Sequence, residues 1–265
     1  IEPPIKINQT YIVQALSDAA VLGETELLIS NKKLTGINTQ YHYLWHDKYT
    51  ADQNSDQLIQ KLRTAYLTKL EENITRTDTV IGRQYKSESP FDRVVTNMMR
   101  EKYNTDVAFL PGVGYGISLK ENITSEDIYK LLPHPAKIVT LELTGSQIQN
   151  TLEQTATNLK PKNKMEIVGG LLQSSGIHYH IDLSKPIGER VMDIKIKNLS
   201  LVDSEIYKVS THSGMLNGIH NYVEFAKGTN IQKTNIVLTE FIIDEFRKMT
   251  KIDIPKNMGE VTIIK

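Results

Sequence analysis

The sequence predicts an α+β domain of mixed, layered architecture. Strand-like alternations and helix-like stripes follow one another without the strict strand-helix-strand repetition of a parallel α/β sheet. The segment from Asp106 to Leu159 reads as strand, glycine turn, short helix, Pro-His-Pro turn, strand and capped helix. Beyond Gly169 the alternation is strand-like until a late helix near Ile236.

Residues 1–48 read as strands and turns: Tyr11 to Ala15, Gly23 to Ile29, and a strand through Tyr41 to Leu44, with a hairpin turn at Asn31 and Lys32. That is too little apolar material to bury a core alone. From Ala51 to Glu72, Leu58, Leu62, Ala65, Tyr66 and Leu70 fall near helical spacing, and Asp52 stands where an N-cap belongs. A domain boundary is expected near Thr79, giving segments 1–48, 49–78 and 79–265. Phe91, Val94, Val95, Met98 and Met99 mark a helix ending by Asn104, which feeds a strand over 107–110. Pro111 breaks that strand, and glycines at 112, 114 and 116 allow the chain to turn back and bring main-chain N–H groups toward a ligand.

Thr124 with Asp127 predicts a capping-box start to a helix reaching Leu132. A strand over 138–143 leads into Thr144, Gly145 and Ser146 and a helix whose inner stripe is Ile148, Leu152, Ala156 and Leu159. Ile177, Tyr179 and Ile181 alternate on one face of a strand, with Val191, Ile194 and Ile196 on its hairpin partner. Tyr207 to Ser210 supplies another strand, Ile236 to Met249 a helix, and Val261 to Ile264 closes the sheet.

Composition excludes several classes of function. The chain has 265 residues with 31 basic and 31 acidic side chains, so nothing steers it toward nucleic acid or an anionic membrane. No window approaches the roughly 20 apolar residues of a membrane-spanning helix. Zero cysteines exclude disulfides, thiolate metal sites and thiol nucleophiles in these residues. Asn-x-Ser/Thr triplets at Asn8, Asn73, Asn122 and Asn198 read as chance matches in an Asn- and Thr-rich chain. The absence of a start methionine or signal peptide suggests a processed or engineered N-terminus. His178, His180 and Asp182 would share one strand face at a spacing that suits a metal, but the same alternation makes them the solvated side of a hairpin, which is the preferred reading.

The runs PGVGYG (111–116), ITSEDIY (123–129), LPHPAK (132–137) and LTGSQI (143–148) together resemble the C-terminal domain of the 5'-nucleotidase family. That family's pattern is a glycine-rich Asn-Gly-Gly-Gly-Ile-Arg loop, an Ile-Thr-x-x-Asp-Ile/Leu-Tyr helix, a Pro-Phe-Gly-Asn-like turn and Leu-Thr-Gly-x-x-Ile/Leu. The resemblance extends to ESPFDRVV (88–95), to the hairpin region 169–196, and upstream to residues 10–29, which look like the close of the family's metallophosphoesterase domain. It implies a substrate-recognising half of a secreted, periplasmic or cell-surface hydrolase. The dimetal domain with its two divalent ions would precede residue 1, so that this half alone is inactive. The implied partners are that missing domain and a nucleotide or related small molecule. In the family a helix corresponding to 51–72 joins the two domains, and nucleotide selection rests on arginines near the glycine loop and two aromatic rings that sandwich the base.

The chain departs from that pattern. The loop arginine position is Gly116, the phenylalanine of the turn is His134, and the later Gly-Gly-Asp-Gly-Tyr motif reads Gly218, Ile219, His220, Asn221 and Tyr222. The resemblance therefore implies a ligand site drawn from Gly112, Gly114, Tyr115, His134, Asn217, His220 and Tyr222, with Arg83, Lys86 or Arg93 supplying the charge. Tyr115 packed on the domain surface and His134 as an ordinary turn residue are the structural alternatives. Pro111, Gly112, Tyr115 and Gly116 also resemble the Ser-Pro-Gly-Phe-Arg-Trp-Gly loop of the family's sulfur-oxidation thiohydrolase branch, although Gly114 replaces its arginine. A thiohydrolase, or a surface binding module whose catalytic lineage has decayed, are the two alternatives to a nucleotidase.

Overall fold

Alternation along one short strand sets the architecture. In the computed structural model, β6 (Val107–Leu110) sends Ala108 and Leu110 into one hydrophobic cluster and Val107 and Phe109 into another. Successive side chains of a strand point to opposite faces. A central sheet therefore separates two cores.

The structure describes residues 3–16, 19–45, 47–163, 166, 169–254 and 260–264, so positions 17 and 18 of the 10–29 segment lie outside the described residues. Contacts divide the chain into residues 1–66 and 67–265. The first unit holds β1 (Ile5–Ile7), β2 (Thr10–Ile12), a long hairpin of β3 (Val21–Ser30) and β4 (Lys33–Tyr43), and α1 (Gln53–Thr64). Asn31 and Lys32 make the hairpin turn at φ 48° and 63°, the left-handed conformation such tight turns require. Asp52 caps α1 by accepting the Ser55 N–H at 2.8 Å.

The second unit begins with α2 (Leu67–Leu70) and β5 (Asn73–Ile81), a strand that runs through Thr79. α3 (Pro90–Tyr103) follows, with Pro90 in its first turn, Ser89 as N-cap and Asn104 in the left-handed conformation at its end. β6 comes next, then β7 (Leu119–Thr124), paired antiparallel with β5, and α4 (Ser125–Leu131), started by a Thr124/Asp127 capping box. β8 (Lys137–Thr144) leads into α5 (Gly145–Leu159) through a second capping box made by Thr144 and Gln147.

β9 (Gln173–Ser175), β10 (Ile177–Asp182), β11 (Val191–Ile196), β12 (Leu199–Ser200) and β13 (Ile206–His212) complete the middle of the chain. Three short 3-10 turns occupy Ser213–Asn217, Ile219–Asn221 and Val223–Lys227. β14 (Thr229–Val237), α6 (Leu238–Phe246) and β15 (Val261–Ile264) close the unit.

The central sheet has the order β14-β8-β13-β6-β9, antiparallel except for the parallel pair β13 and β6. Against one face α3, α4, α6, β5 and β7 bury Phe91, Val95, Met99, Ile123, Ile128 and Phe246. Against the other lie α5 and a second sheet, β12-β11-β10-β15, which bury Ile148, Leu152, Ala156, Ile177, Tyr179 and Ile181. This is the mixed, layered α+β arrangement that the alternating elements predict. His178 and His180 are exposed on β10, where His180 pairs with Asp193 at 3.1 Å. The helix expected from Ile236 begins two residues later, because β14 holds Ile236 and Val237 in the sheet.

Candidate functional site

Because β6 and β13 are parallel neighbours, both end at the same edge of the central sheet, at Leu110 and His212. In open sheets, ligands bind in the crevice beyond the carboxyl ends of such strands. A cavity of about 380 Å³ lies there, within the range of small-molecule sites. Its walls come from Arg83 after β5, the loop following β6, the segment 132–136 before β8, the turns after β13, and Leu238 at the start of α6. The Leu238 N–H donates to the Ala136 carbonyl at 2.8 Å, which ties the first turn of α6 to that segment.

The glycine loop contributes by alternation. Pro111, Val113 and Tyr115 line the cavity, whereas Gly112, Gly114 and Gly116 do not. Gly112 packs against main chain instead: an added Cβ would sit 1.9 Å from the Leu171 carbonyl oxygen, and its own carbonyl accepts the Gly170 N–H at 3.0 Å. Gly114 lies beside Tyr85, and Gly116, at φ +93°, against the Leu131 main chain.

Arg83 is the most informative residue of the site. Its side chain is only 3 % exposed, and Asp92, at 0 %, faces it from the first turn of α3. Nε donates to the two Asp92 carboxylate oxygens at 3.1 and 3.2 Å, and Nη2 lies 3.0 Å from Oδ1. With that edge of the guanidinium engaged, Nη1 projects from the other side, buried and without a partner. A buried donor left unmade costs about 1–3 kcal/mol, more when charged. The guanidinium also lies 5.4 Å from the centre of the Tyr115 ring, within cation–π range. Tyr115 in turn meets His134 edge-to-face, with ring centres 5.5 Å apart at 84°.

His212, which sequence reasoning missed, forms the floor with these groups. Its Nδ1 accepts the Gly214 N–H at 3.1 Å, which fixes the neutral ring with its proton on Nε2. Burial, and then the positive charge of Arg83, His220 and His134, push it down to about 4. His220 also lines the cavity, presented by a turn in which His220 and Asn221 adopt φ 53° and 65°. That left-handed pair is held partly by the Asn158 side chain, which donates to the His220 carbonyl at 3.0 Å.

Of the other residues picked out by the sequence, Lys86 and Asn217 are exposed and away from the cavity. Arg93 is spent in a buried cluster, paired with Glu88 and with Glu260. Tyr222 is a core residue, 1 % exposed, whose hydroxyl lies 2.8 Å from that of Thr155 and whose burial raises it to about 12. Among the described residues no group of three or more His, Asp or Glu is arranged to hold a metal ion.

The model of the family described as 5'-nucleotidase, C-terminal domain, matches residues 65–228. The trifunctional nucleotide phosphoesterase protein YfkN of Bacillus subtilis (strain 168) is 25% identical over 155 residues, 57% of this chain and 10% of its own. A 5'-nucleotidase precursor from Thermus thermophilus superposes with a TM-score of 0.81 at 20% identity, over 99% of this chain and 54% of that one. The sulfate thiohydrolase SoxB of the same organism does so with a TM-score of 0.78 at 17% identity, over 99% and 48%. The chain thus spans about half the length of these solved structures and a tenth of YfkN. At such identities the superpositions speak for the fold alone, while the family match runs from α2 to the third 3-10 turn and includes every residue that lines the cavity except Leu238. The chain belongs to the 5'-nucleotidase C-terminal domain family.

Proposed function

We propose that this chain is the substrate-recognising half of a two-domain, metal-dependent 5'-nucleotidase-like phosphoester hydrolase acting outside the cytoplasm. The strand-rich residues 1–48 belong to the end of its metallophosphoesterase domain, and α1 belongs to the connection between the domains. The dimetal chemistry resides in the domain that precedes them, and residues 79–265 bind the nucleoside part of the substrate. One observation carries this reading: an apolar cavity at the ends of β6 and β13 combines an aromatic pair, Tyr115 and His134, with a buried guanidinium N–H that lacks an acceptor. An apolar lining that carries an aromatic ring suits a nucleobase, and each base–aromatic stack is worth about 1–3 kcal/mol in nucleic-acid systems. The Arg83 guanidinium beside the Tyr115 ring adds a positive charge to that wall.

The test is calorimetry of this chain with nucleosides and nucleoside monophosphates, alongside a phosphate-release assay with added divalent metals. Binding without turnover is the expected result. Failure to bind any nucleoside, or robust release of phosphate from AMP by this chain, would overturn the proposal. The loop Pro111 to Gly116 favours a second reading, a thiohydrolase acting on a carrier-bound thiosulfonate. Assaying the two substrate classes with the full-length protein separates them.

A further inference from the structure

Asp92 does not line the cavity, and its side chain is fully buried in the first turn of α3. That turn is firmly held: the Asp92 N–H donates to the Ser89 hydroxyl at 3.2 Å, and the Asp92 carbonyl accepts the Thr96 hydroxyl at 2.8 Å. Tyr115 is the opposite case. It stands 40 % exposed between Gly114 and Gly116, which have no side chains to brace its ring. The ring meets the Arg83 guanidinium, 5.4 Å from its centre, and His134 edge-to-face. Nη2 of the same guanidinium lies 3.5 Å from the carbonyl oxygen of Pro111, where the loop begins. We propose that Asp92 is a positioning residue of the cavity: its carboxylate fixes the plane of Arg83, and Arg83 sets the Tyr115 ring that the ligand meets.

For the ligand this rests on the nucleoside reading above; for the ring it rests on the three side chains alone. Nε donates to both Asp92 oxygens, at 3.1 and 3.2 Å, and Nη2 lies 3.0 Å from Oδ1, an edge-on engagement that fixes the plane of the guanidinium. A carboxamide in place of the carboxylate offers one oxygen and turns an amino group, a second donor, toward the same edge. The guanidinium then has to rotate or withdraw. A side chain on a packed helix is a firmer base than a loop of glycines, so the displacement falls on Tyr115 and not on α3.

The experiment compares Asp92→Asn, Tyr115→Leu, the two combined, and Arg83→Met with Asp92→Leu. NMR of the His134 ring protons, recorded at about pH 8 where imidazoles are neutral, reports the Tyr115 ring without any ligand: the edge-to-face contact displaces those resonances, and Tyr115→Leu calibrates by how much. Asp92→Asn should remove most of that displacement. The apolar pair Arg83→Met, Asp92→Leu should fold stably and still lose it, which separates positioning from a purely structural role and keeps the test open if Asp92→Asn does not fold. In calorimetry with adenosine, guanosine, cytidine and uridine, Asp92→Asn should weaken the tightest of them about fivefold or more, the lower end of one base–aromatic stack. With Tyr115 already leucine, the same change should matter less than about twofold. An unchanged His134 signal in either Asp92 variant, or an equal loss of affinity with and without Tyr115, would overturn the proposal. If the wild type binds none of the nucleosides, the nucleoside reading fails, and the His134 signal still decides the role of Asp92.

Discussion

His212 makes folding stability depend on pH through one identifiable side chain. The ring is buried at the end of β13, with Arg83, His134 and His220 around it and no carboxylate on the cavity wall. Its ordinary value of 6.5 falls to about 4 in the folded protein, first through desolvation and then through those positive neighbours. A group whose folded pKa is depressed stabilises the native state fully above its unfolded value and loses that contribution as pH falls toward the folded one. The unfolded chain takes up a proton below about pH 6.5, while the folded chain resists doing so until near pH 4. With about 1.36 kcal/mol for each tenfold difference in proton affinity, the loss is about 2 kcal/mol between about pH 7 and pH 5, reaching about 3 kcal/mol by pH 4. In His212→Asn the carboxamide oxygen takes the place of Nδ1 as acceptor for the Gly214 N–H, and the titration disappears. Urea unfolding of both proteins across this range gives two stability curves whose difference isolates His212 from the carboxylates, which titrate in both. The variant should lose less stability on acidification by about 2 kcal/mol near pH 5. A difference that stays flat with pH, or that grows in favour of the wild type in acid, would refute the account.

Two further predictions concern the frame of the site. Asp92→Leu leaves the buried Arg83 guanidinium without its carboxylate and should cost about 3–5 kcal/mol, whereas Arg83→Met combined with Asp92→Leu should recover more than half of that loss in denaturant titrations. Gly170→Ala would place a Cβ 1.7 Å from the Tyr85 carbonyl oxygen; the displaced main chain should cost about 3 kcal/mol or more, seen as a lowered Tm and reduced nucleoside binding together.

The parts of this fold that the sequence displays are those whose cause is local. The stripe from Phe91 to Met99, the Asn104 stop, the two capping boxes and the alternation of Ile177, Tyr179 and Ile181 each place their element within a residue or two. β5 and β7 escaped notice because their pairing joins residues as far apart as Asn73 and Thr124, with two register shifts that break the period-two pattern in β5. β14 is an edge strand whose exposed run is polar apart from Ile231, so its apolar end at Ile236 and Val237 merges with the stripe of α6 and reads as helix. Tyr115, His134, His220 and Arg83 were recognisable candidates from their positions around the glycine loop and its companion turns. Nothing in the letters separates Arg83 from Arg93. That distinction depends on Glu260, which reaches Arg93 from the far end of the chain. His212 was invisible for a similar reason, because only the parallel pairing of β13 with β6 brings its strand end to the cavity.

The glycine at 116 and the arginine at 83 belong to one solution. Gly116 has φ +93°, and a side chain there would begin 2.6 Å from the Leu131 carbonyl oxygen. Gly114 has the Tyr85 Cβ 3.1 Å from where its own Cβ would stand. A long cationic side chain at 116 would displace the Leu131 main chain, whereas at 114 the Tyr85 side chain would have to give by only a few tenths of an ångström. Without an arginine at 116, a guanidinium in this cavity needs another element to supply it and a partner outside the loop to hold its base. Arg83 meets both needs: it arrives from the β5–α3 connection, Asp92 anchors one edge of it, and Tyr115 of the same loop supplies a ring face beside it. The loop thus gives up a charged side chain and keeps an aromatic one, and its tight glycines bring the segment bearing Arg83 close enough for the two to meet. Restoring an arginine at position 116 alone would displace the Leu131 main chain and crowd the cavity, so charge and loop conformation have to change together.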